Sequence, residues 1–452
     1  MNDQYLIEEK PLKALFIFSL PMLIGNFFQQ TYTMVDSMVV GRYVSENAMA
    51  AIGACYSFTN IFIWFAVGGG IGASVIVSRL FGAHDYRLMR SATRTALLAF
   101  LMISIFLGIL GYGIEIPVLK LLRTPEEVLS SCCIYLNIYF LGLPFLFMYN
   151  VISSMFNAMG NSKIPLYFLI FSSVLNIILD IWFVLRFHMG IAGVAWATLI
   201  AQGISALASG YVLIMFFRKQ YPVDGHVPLF DRKLGAEMAR IALPSILQQS
   251  TVSIGMMVVQ SVVNTFGAQA LAGYSVGLRI ENYCCVPWSA FNSAISAYIA
   301  QNIGAGKKER VRQGYRAVNM MILICAIIFF LILEPLAGPI VRLFLGGNMS
   351  QTAWNVGKNY IRCDGIFIGI LGVKMAVDGA LRGCEDTLAF TIANLVNLGL
   401  RIIIAFTLAP IFGIQMVWLA NPVGWSANWI ISHHHFRKTS YYGGKSHSQF
   451  LL

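Results

Sequence analysis

Twelve apolar stretches, each long enough to cross a bilayer as a helix, limit what this chain can fold into. They fall at about 14–40, 48–78, 95–114, 133–157, 165–186 and 190–217. After a polar linker they resume at about 241–264, 270–300, 317–341, 360–381, 387–409 and 413–432. Of the 452 residues, 58% are hydrophobic and only 11% charged, where a soluble domain carries roughly 25% charged residues. The pattern predicts an all-α, multi-pass membrane protein. The net charge of +11 does not argue for a nucleic-acid partner, because the basic residues collect in short loops, as cytoplasmic loops require. The N-terminus has no basic-then-apolar leader, so the first stretch is expected to remain as an anchor.

The second six stretches copy the first six. At an offset of 222, Gly82-Ala83 meets Gly304-Ala305, Arg90 meets Arg312, and Pro117 through Leu121 meets Pro339 through Leu343. With small gaps, Asn176-x-x-Leu179 meets Asn397-x-x-Leu400, and Gly190-Ile191 meets Gly413-Ile414. A match at constant offset across several loops marks a duplication. Each copy has an even number of spans, so both cross in the same direction. The expected fold is twelve transmembrane helices in two six-helix bundles, related by a pseudo-two-fold axis along the membrane normal. The expected division is a bundle over 1–217, a cytoplasmic linker over 218–235, and a second bundle with a cytoplasmic tail over 236–452.

Loop charge orients the chain. Arg79, Arg87, Arg90 and Arg94 face only Asp85 in one loop, and its repeat partner holds Lys307, Lys308, Arg310, Arg312 and Arg316 against Glu309. Alternate loops are balanced, for example Lys120 and Arg123 against Glu115, Glu126 and Glu127. Both termini and the linker are therefore expected in the cytoplasm.

The chemistry is carried by carboxylates inside the apolar stretches. Asp180 lies within 165–186, with Asn176 four residues earlier on the same helical face. An ionised carboxylate in hydrocarbon costs a few kcal/mol or more, so Asp180 must pair, line a wet cavity or hold a proton. Thr198 on the adjacent span brings a hydroxyl to the same region. Carboxylate, amide and hydroxyl oxygens suit a small hard cation, and a carboxylate alone carries a proton. The bland alternative is a hydrogen-bond network at a helix crossing. Asp36, near the outer end of the first stretch, is a second carboxylate, with Gln29 and Gln30 one to two turns earlier; its alternative is an interfacial residue. The copy has Val258 at the position of Asp36 and Arg401 at that of Asp180, which suggests that ion coupling lives in the first bundle. The second half has its own charges, Arg279, Glu281, Lys374 and Asp378. Lys374 and Asp378 are spaced to neutralise each other.

Several motifs fail on inspection. Gly304-Ala305-Gly306-Lys307 resembles a phosphate loop, but Lys308 and Gln301 stand where Ser/Thr and the first Gly are needed. His433-His434-His435 has no partner ligands and reads as a solvated tract. The eight cysteines have neither metal-ligand nor disulfide spacing and read as small apolar residues. Gly68-Gly69-Gly70 with Gly72 reads as a close helix-packing surface.

Pro21, Val35-Asp36-Ser37, the paired Gly-Ala loops at Gly82 and Gly304, Tyr135-Leu136, the Gly160 and Gly383 loops and Asn176-x-x-x-Asp180 together resemble the multidrug and toxic compound extrusion (MATE) family, in its prokaryotic branch. The resemblance covers about 11–435, and the tail beyond Arg437 matches nothing. It implies two bundles of six helices and export driven by an inward proton or sodium gradient. The coupling residues it implies are Asp36, Asn176, Asp180 and Thr198, with Tyr135 nearby. If sodium is the ion, the first four would hold it. In another branch of the family a second-bundle acidic pair binds sodium; here Gln249 stands about where the first of that pair would lie.

The expected function is secondary active efflux of amphipathic, often cationic small molecules, by antiport with H+ or Na+ through alternating access. The expected setting is the bacterial inner membrane, as a monomer, with no cofactor beyond the coupling ion and no enzymatic activity. Candidate cavity residues are Gln29, Gln30, Gln249, Arg279 and Lys374. The alternative is a lipid-linked oligosaccharide flippase of the same superfamily, which would use cations such as Arg279, Lys374 and Arg401 on a pyrophosphate. A membrane-embedded enzyme would need an acidic metal cluster or a nucleophile set, and a channel would need no duplication.

Overall fold

The structure, a computed structural model, describes residues 4–439 apart from 45, 122–123, 226 and 347–348; the side chains of 34–42, 46–47, 57, 252 and 254 also fall outside the description. A short helix, α1 (Tyr5–Glu8), precedes twelve long ones. The first six are α2 (Pro11–Tyr43), α3 (Glu46–Gly82), α4 (Tyr86–Leu121), α5 (Glu126–Ala158), α6 (Lys163–Ile181) and α7 (Gly190–Gln220). The second six are α8 (Arg232–Asn264), α9 (Ala268–Gly304), α10 (Lys308–Leu345), α11 (Gln351–Gly383), α12 (Thr387–Phe412) and α13 (Gln415–Lys438). The twelve-helix, two-bundle reading of the sequence therefore holds.

Nine of these helices, among the described residues, are long and apolar enough to cross a membrane. The three that fall short, α9, α11 and α13, pack on one another and carry buried polar groups such as Glu281, Asp364, Asp378 and Asn428. Their sequences are less apolar because each turns buried polar groups toward the interior of the unit.

The chain divides into two compact units, Ile24–Ile246 and Met1–Leu23 with Leu247–Leu452. The same helix pairs pack within each. In the first unit α3 meets α4 and α5, α5 meets α4 and α7, and α6 meets α7. In the other, α9 meets α10 and α11, α11 meets α10 and α13, and α12 meets α13. The division falls inside α2 and α8, two residues past Pro21 and Pro244. The two cuts are repeat equivalents (246 − 23 = 223). An internal proline removes one helical hydrogen bond, yet α2 and α8 run on through both cuts, and neither cut lies at the polar linker of 218–235. That linker lies within the Ile24–Ile246 unit, where Arg94 donates to the Val227 carbonyl (2.7 Å) and the Asp231 N–H donates to Thr95 Oγ1 (2.8 Å).

Local sequence explains the close contacts. A Cβ on Gly68 would stand 2.9 Å from the backbone nitrogen of Ile246, and one on Gly72 only 2.6 Å from that of Ala242. Only glycine lets α3 approach the start of α8 this closely, as the glycine run predicted. Two sequence readings are corrected. Glu115 is not a loop charge: α4 runs on to Leu121, and Glu115 is buried within it. The histidine tract is not simply solvated. His433 stacks on Tyr315 and Trp429, with Nδ1 3.1 Å from the Tyr315 hydroxyl, and His435 Nε2 sits 2.7 Å from Asp386.

Candidate functional site

Four helices of the Ile24–Ile246 unit bring polar groups together around Asp180. The carboxylate is fully buried, at 0% exposure, and Asn176, one turn before it on α6, is 2% exposed. α6 gives way to a π-helical turn (Trp182–Arg186) two residues after Asp180. Such wide turns recur at functional sites because they re-aim the side chains beside them.

The Asn176 amide organises the site. Its orientation is assigned from the network. The nitrogen donates to Asp180 Oδ2 at 2.9 Å and to the Tyr32 hydroxyl at 3.1 Å. The oxygen accepts from the Thr198 N–H at 3.1 Å and lies 3.2 Å from the Thr198 hydroxyl. One amide thus links α2, α6 and α7. Beside Thr198 lies a cavity of about 20 Å³, also lined by Tyr135, Tyr139 and Gln202, large enough for one water. Tyr135 stacks on Tyr139, whose hydroxyl donates to the Thr59 carbonyl at 3.1 Å.

Of the expected coupling residues, the structure brings together Asp180, Asn176 and Thr198, and places Tyr135 on the adjoining cavity. Asp36 lies on α2, one turn past Tyr32, but its side chain is outside the described residues. Tyr32 is the member that sequence reasoning missed. Its signal was present: it shares a helical face with Asp36 at a spacing of four.

The expected cavity residues do not form one group. Gln29, Gln30 and Arg279 are exposed, and Gln249 is half-buried. Lys374 is buried and spoken for. Its ammonium sits 2.7 Å from Asp378 Oδ2 and donates to Asn394 Oδ1 at 2.8 Å. Gln248 also donates to Asp378, at 3.3 Å. This closed network has the geometry of a structural pair.

The other unit contains the counterpart of the Asp180 pocket with its charges rearranged. Thr198 corresponds to Asn421 (421 − 198 = 223), Tyr135 to Tyr360 (360 − 135 = 225), and Asp180 to Arg401. Asn421 donates to Glu281 at 3.4 Å, the Tyr360 hydroxyl bonds to the same carboxylate, and Arg401 lies within its electrostatic reach. Asp364, 2% exposed, stands one turn beyond Tyr360. The half that lost the repeat-equivalent carboxylate therefore gained two others from α9 and α11. Asp364 had not been singled out in the sequence, because no spacing on its own helix marks it. Among the described residues, no group of three or more His, Cys, Asp or Glu is placed to hold a metal ion.

Twelve long helices in two repeated units, with a carboxylate buried in a polar pocket, define a multi-pass membrane transporter. A family model described as MatE matches residues 21–182 and again 244–407, and the chain belongs to the MATE family. The double match (244 − 21 = 223) falls on the two halves of the duplication. The chain is 29% identical over 387 residues to "Probable multidrug resistance protein YpnP" of Bacillus subtilis, covering 85% of each. It is 26% identical over 435 residues to a protein of Shewanella oneidensis described as "FAD transporter", covering 94% of each. Its fold matches a solved structure described as an outward-facing conformation of a multidrug resistance MATE family transporter, with TM-score 0.89 and 21% identity over 97% of each chain.

Proposed function

We propose that this protein is a secondary active exporter of amphipathic, often cationic small molecules, driven by antiport of H+ or Na+ through alternating access. The observation that carries the reading is the burial of Asp180 in a pocket whose other polar atoms are an amide, two hydroxyls and a backbone N–H. Such a pocket offers hydrogen bonds to the carboxylate, yet removes it from bulk water. Proton or sodium binding there changes the local charge by a whole unit. Asp36, Asn176, Asp180 and Thr198 are the proposed coupling set, joined by Tyr32, with Tyr135 beside them. If sodium is the ion, the Asp180 carboxylate and the Thr198 hydroxyl supply hard ligands, and the Asn176 oxygen joins them once the amide turns over. The setting is the bacterial inner membrane, with both termini in the cytoplasm. The multidrug resistance relatives support export of varied small molecules.

The flippase alternative weakens on two observations. Lys374 is neutralised by Asp378, and Arg401 lies within electrostatic reach of Glu281, which weakens both as cations for a pyrophosphate. The test is efflux of a fluorescent organic cation from proteoliposomes, with sodium and pH gradients imposed independently. Asp180→Asn keeps the shape of the side chain and removes its charge. It should abolish gradient-driven export while some substrate binding survives. Export at the wild-type rate in that variant would move the coupling site elsewhere, with Glu281 and Asp364 next in line.

A further inference from the structure

A second polar site lies in the other unit, far along the chain from the Asp180 pocket. α10 and α11 enclose a groove of about 250 Å³, lined by Glu334, Arg342, Trp354, Lys358 and Arg362 together with Pro335, Gly338 and Pro339. The charges form a ladder. Arg342 lies three residues before the end of α10, and Lys358 seven residues into α11. Glu334 and Arg362 each lie eleven residues from the α10–α11 turn, or about 16 Å along a helix. Arg362 and Glu334 pair at 3.1 Å, and the Lys358 ammonium sits 4.3 Å from the centre of the Trp354 ring. Three cations against one carboxylate leave a formal charge of +2 (3 − 1). The Trp354 indole N–H, buried against Gly338, has no hydrogen-bond partner.

Arg342 has a cation, Lys120, at its repeat position, but the other charges of the groove are not shared. The first half has Tyr112 where the second has Glu334, at the 222 offset. With Tyr135 set on Tyr360, it has Leu129, Cys133 and Asn137 where the second has Trp354, Lys358 and Arg362. The groove also opens on an apolar face. α10 packs on α9 and α11, and Leu331, Leu336, Leu343 and Ile366 beside the groove are exposed, Leu343 by 83%. In a bilayer that face meets acyl chains, while Arg342 and Lys358, just beyond the apolar stretches 317–341 and 360–381, lie at headgroup depth. Pro335 and Pro339 interrupt the hydrogen bonding of α10 along the groove.

We propose that this groove binds the phosphate of an anionic phospholipid, drawn from the leaflet on the side of the α10–α11 turn. The phosphodiester lies between Arg342 and Lys358, and the acyl chains follow the exposed face of α10. Arg342 and Lys358 supply the net positive charge, while Glu334 holds Arg362 and tempers the site. The volume suits a headgroup; drug-sized ligands take pockets of roughly 300–1,000 Å³.

The experiment is lipid titration of the purified full-length protein in detergent, read by native mass spectrometry with phosphatidylglycerol, phosphatidylcholine and soluble glycerol 3-phosphate. The wild type should hold phosphatidylglycerol in preference to phosphatidylcholine, and millimolar glycerol 3-phosphate should not displace it. In the Arg342→Gln/Lys358→Gln variant, phosphatidylglycerol affinity should fall about 30-fold, since each cation near a lipid surface contributes a comparable factor. Glu334→Gln should instead raise it about fivefold, a gain that misfolding cannot mimic. Equal retention of the two lipids by the wild type, or unchanged preference in both variants, would overturn the proposal. Displacement by glycerol 3-phosphate would overturn the lipid assignment and make the groove a site for a soluble phosphate.

Discussion

Asn176 grips Thr198 twice across the α6–α7 contact, its amide oxygen taking the backbone N–H at 3.1 Å and lying 3.2 Å from the hydroxyl. Because the oxygen is committed to Thr198, the amide nitrogen is aimed at Asp180 and Tyr32. The threonine therefore fixes which end of the amide the carboxylate meets. An amide N–H facing a carboxylate donates a hydrogen bond to it, so Thr198 sets which polar group Asp180 meets inside the pocket.

Thr198→Val tests that relationship and separates the two candidate ions. The backbone bond survives and only the hydroxyl is lost, so the stability cost should be about 1 kcal/mol, read as a small drop in thermal unfolding temperature. If sodium is the coupling ion, the variant loses one ligand, and half-maximal export should need several-fold more sodium. Export driven by a proton gradient alone should change little. A variant whose sodium and proton responses fall together would show that Thr198 acts only by holding α6 to α7.

Much of this was legible in the sequence, for identifiable reasons. Span length and the 222-residue offset are set by bilayer thickness and by duplication, and both survive without any tertiary information. Asn176 and Asp180 share a helical face, which periodicity reveals directly. What periodicity does not reveal is which faces meet. Tyr32 reaches Asn176 from a helix more than 140 residues away in the chain (176 − 32 = 144). Glu281, Arg401 and Asn421 come from α9, α12 and α13, and nothing local marks them as one group. Glu115 misled because an apolar run ended near it, although the helix itself continued.

The N-terminal strap provides a second test. Tyr5, Leu6 and Ile7 are buried in the same unit as α9, and their carbonyl ends are held from the α9–α10 turn. Arg310 donates to the carbonyls of Leu6 (3.2 Å) and Glu9 (2.6 Å), Asn302 donates to Leu6 (3.1 Å), and Lys307 donates to Ile7 (3.2 Å). Arg310→Gln removes two charge-assisted bonds, at a cost of about 1.5–3 kcal/mol. Limited proteolysis should then cleave before Lys10 at least several-fold faster than in the wild type. An unchanged cleavage rate would mean that the apolar contacts of Leu6 and Ile7 hold the strap alone.

Loop charge predicts the orientation in the membrane, and cysteine labelling tests it. In a background lacking reactive native thiols, a cysteine at Lys308 should resist an impermeant maleimide added from outside, and one at Gln351 should react. Cys384, in the turn after α11, needs little attention: burial, with help from Asp386 and Glu385, pushes its thiol far up, so it reacts slowly. The reverse labelling pattern would invert the whole topology, because the two halves share one direction.

Lys374 and Asp378 decide whether the polar centre of the second unit is scaffold or substrate site. The pair is closed by Asn394 and Gln248, and Ser432 lies 3.5 Å from the second Asp378 oxygen. Removing one charge leaves the other buried without its counter-ion, which costs about 3–5 kcal/mol. Lys374→Met and Asp378→Asn should therefore each lower the unfolding temperature sharply. The double variant carries no uncompensated charge, and its loss should be well below the sum of the two. If the pair is scaffold, the double variant should also export the wild-type range of substrates at a rate close to normal. A double variant that is stable but has lost one class of substrate, cationic or anionic, would show instead that the pair faces the transport path and selects by charge.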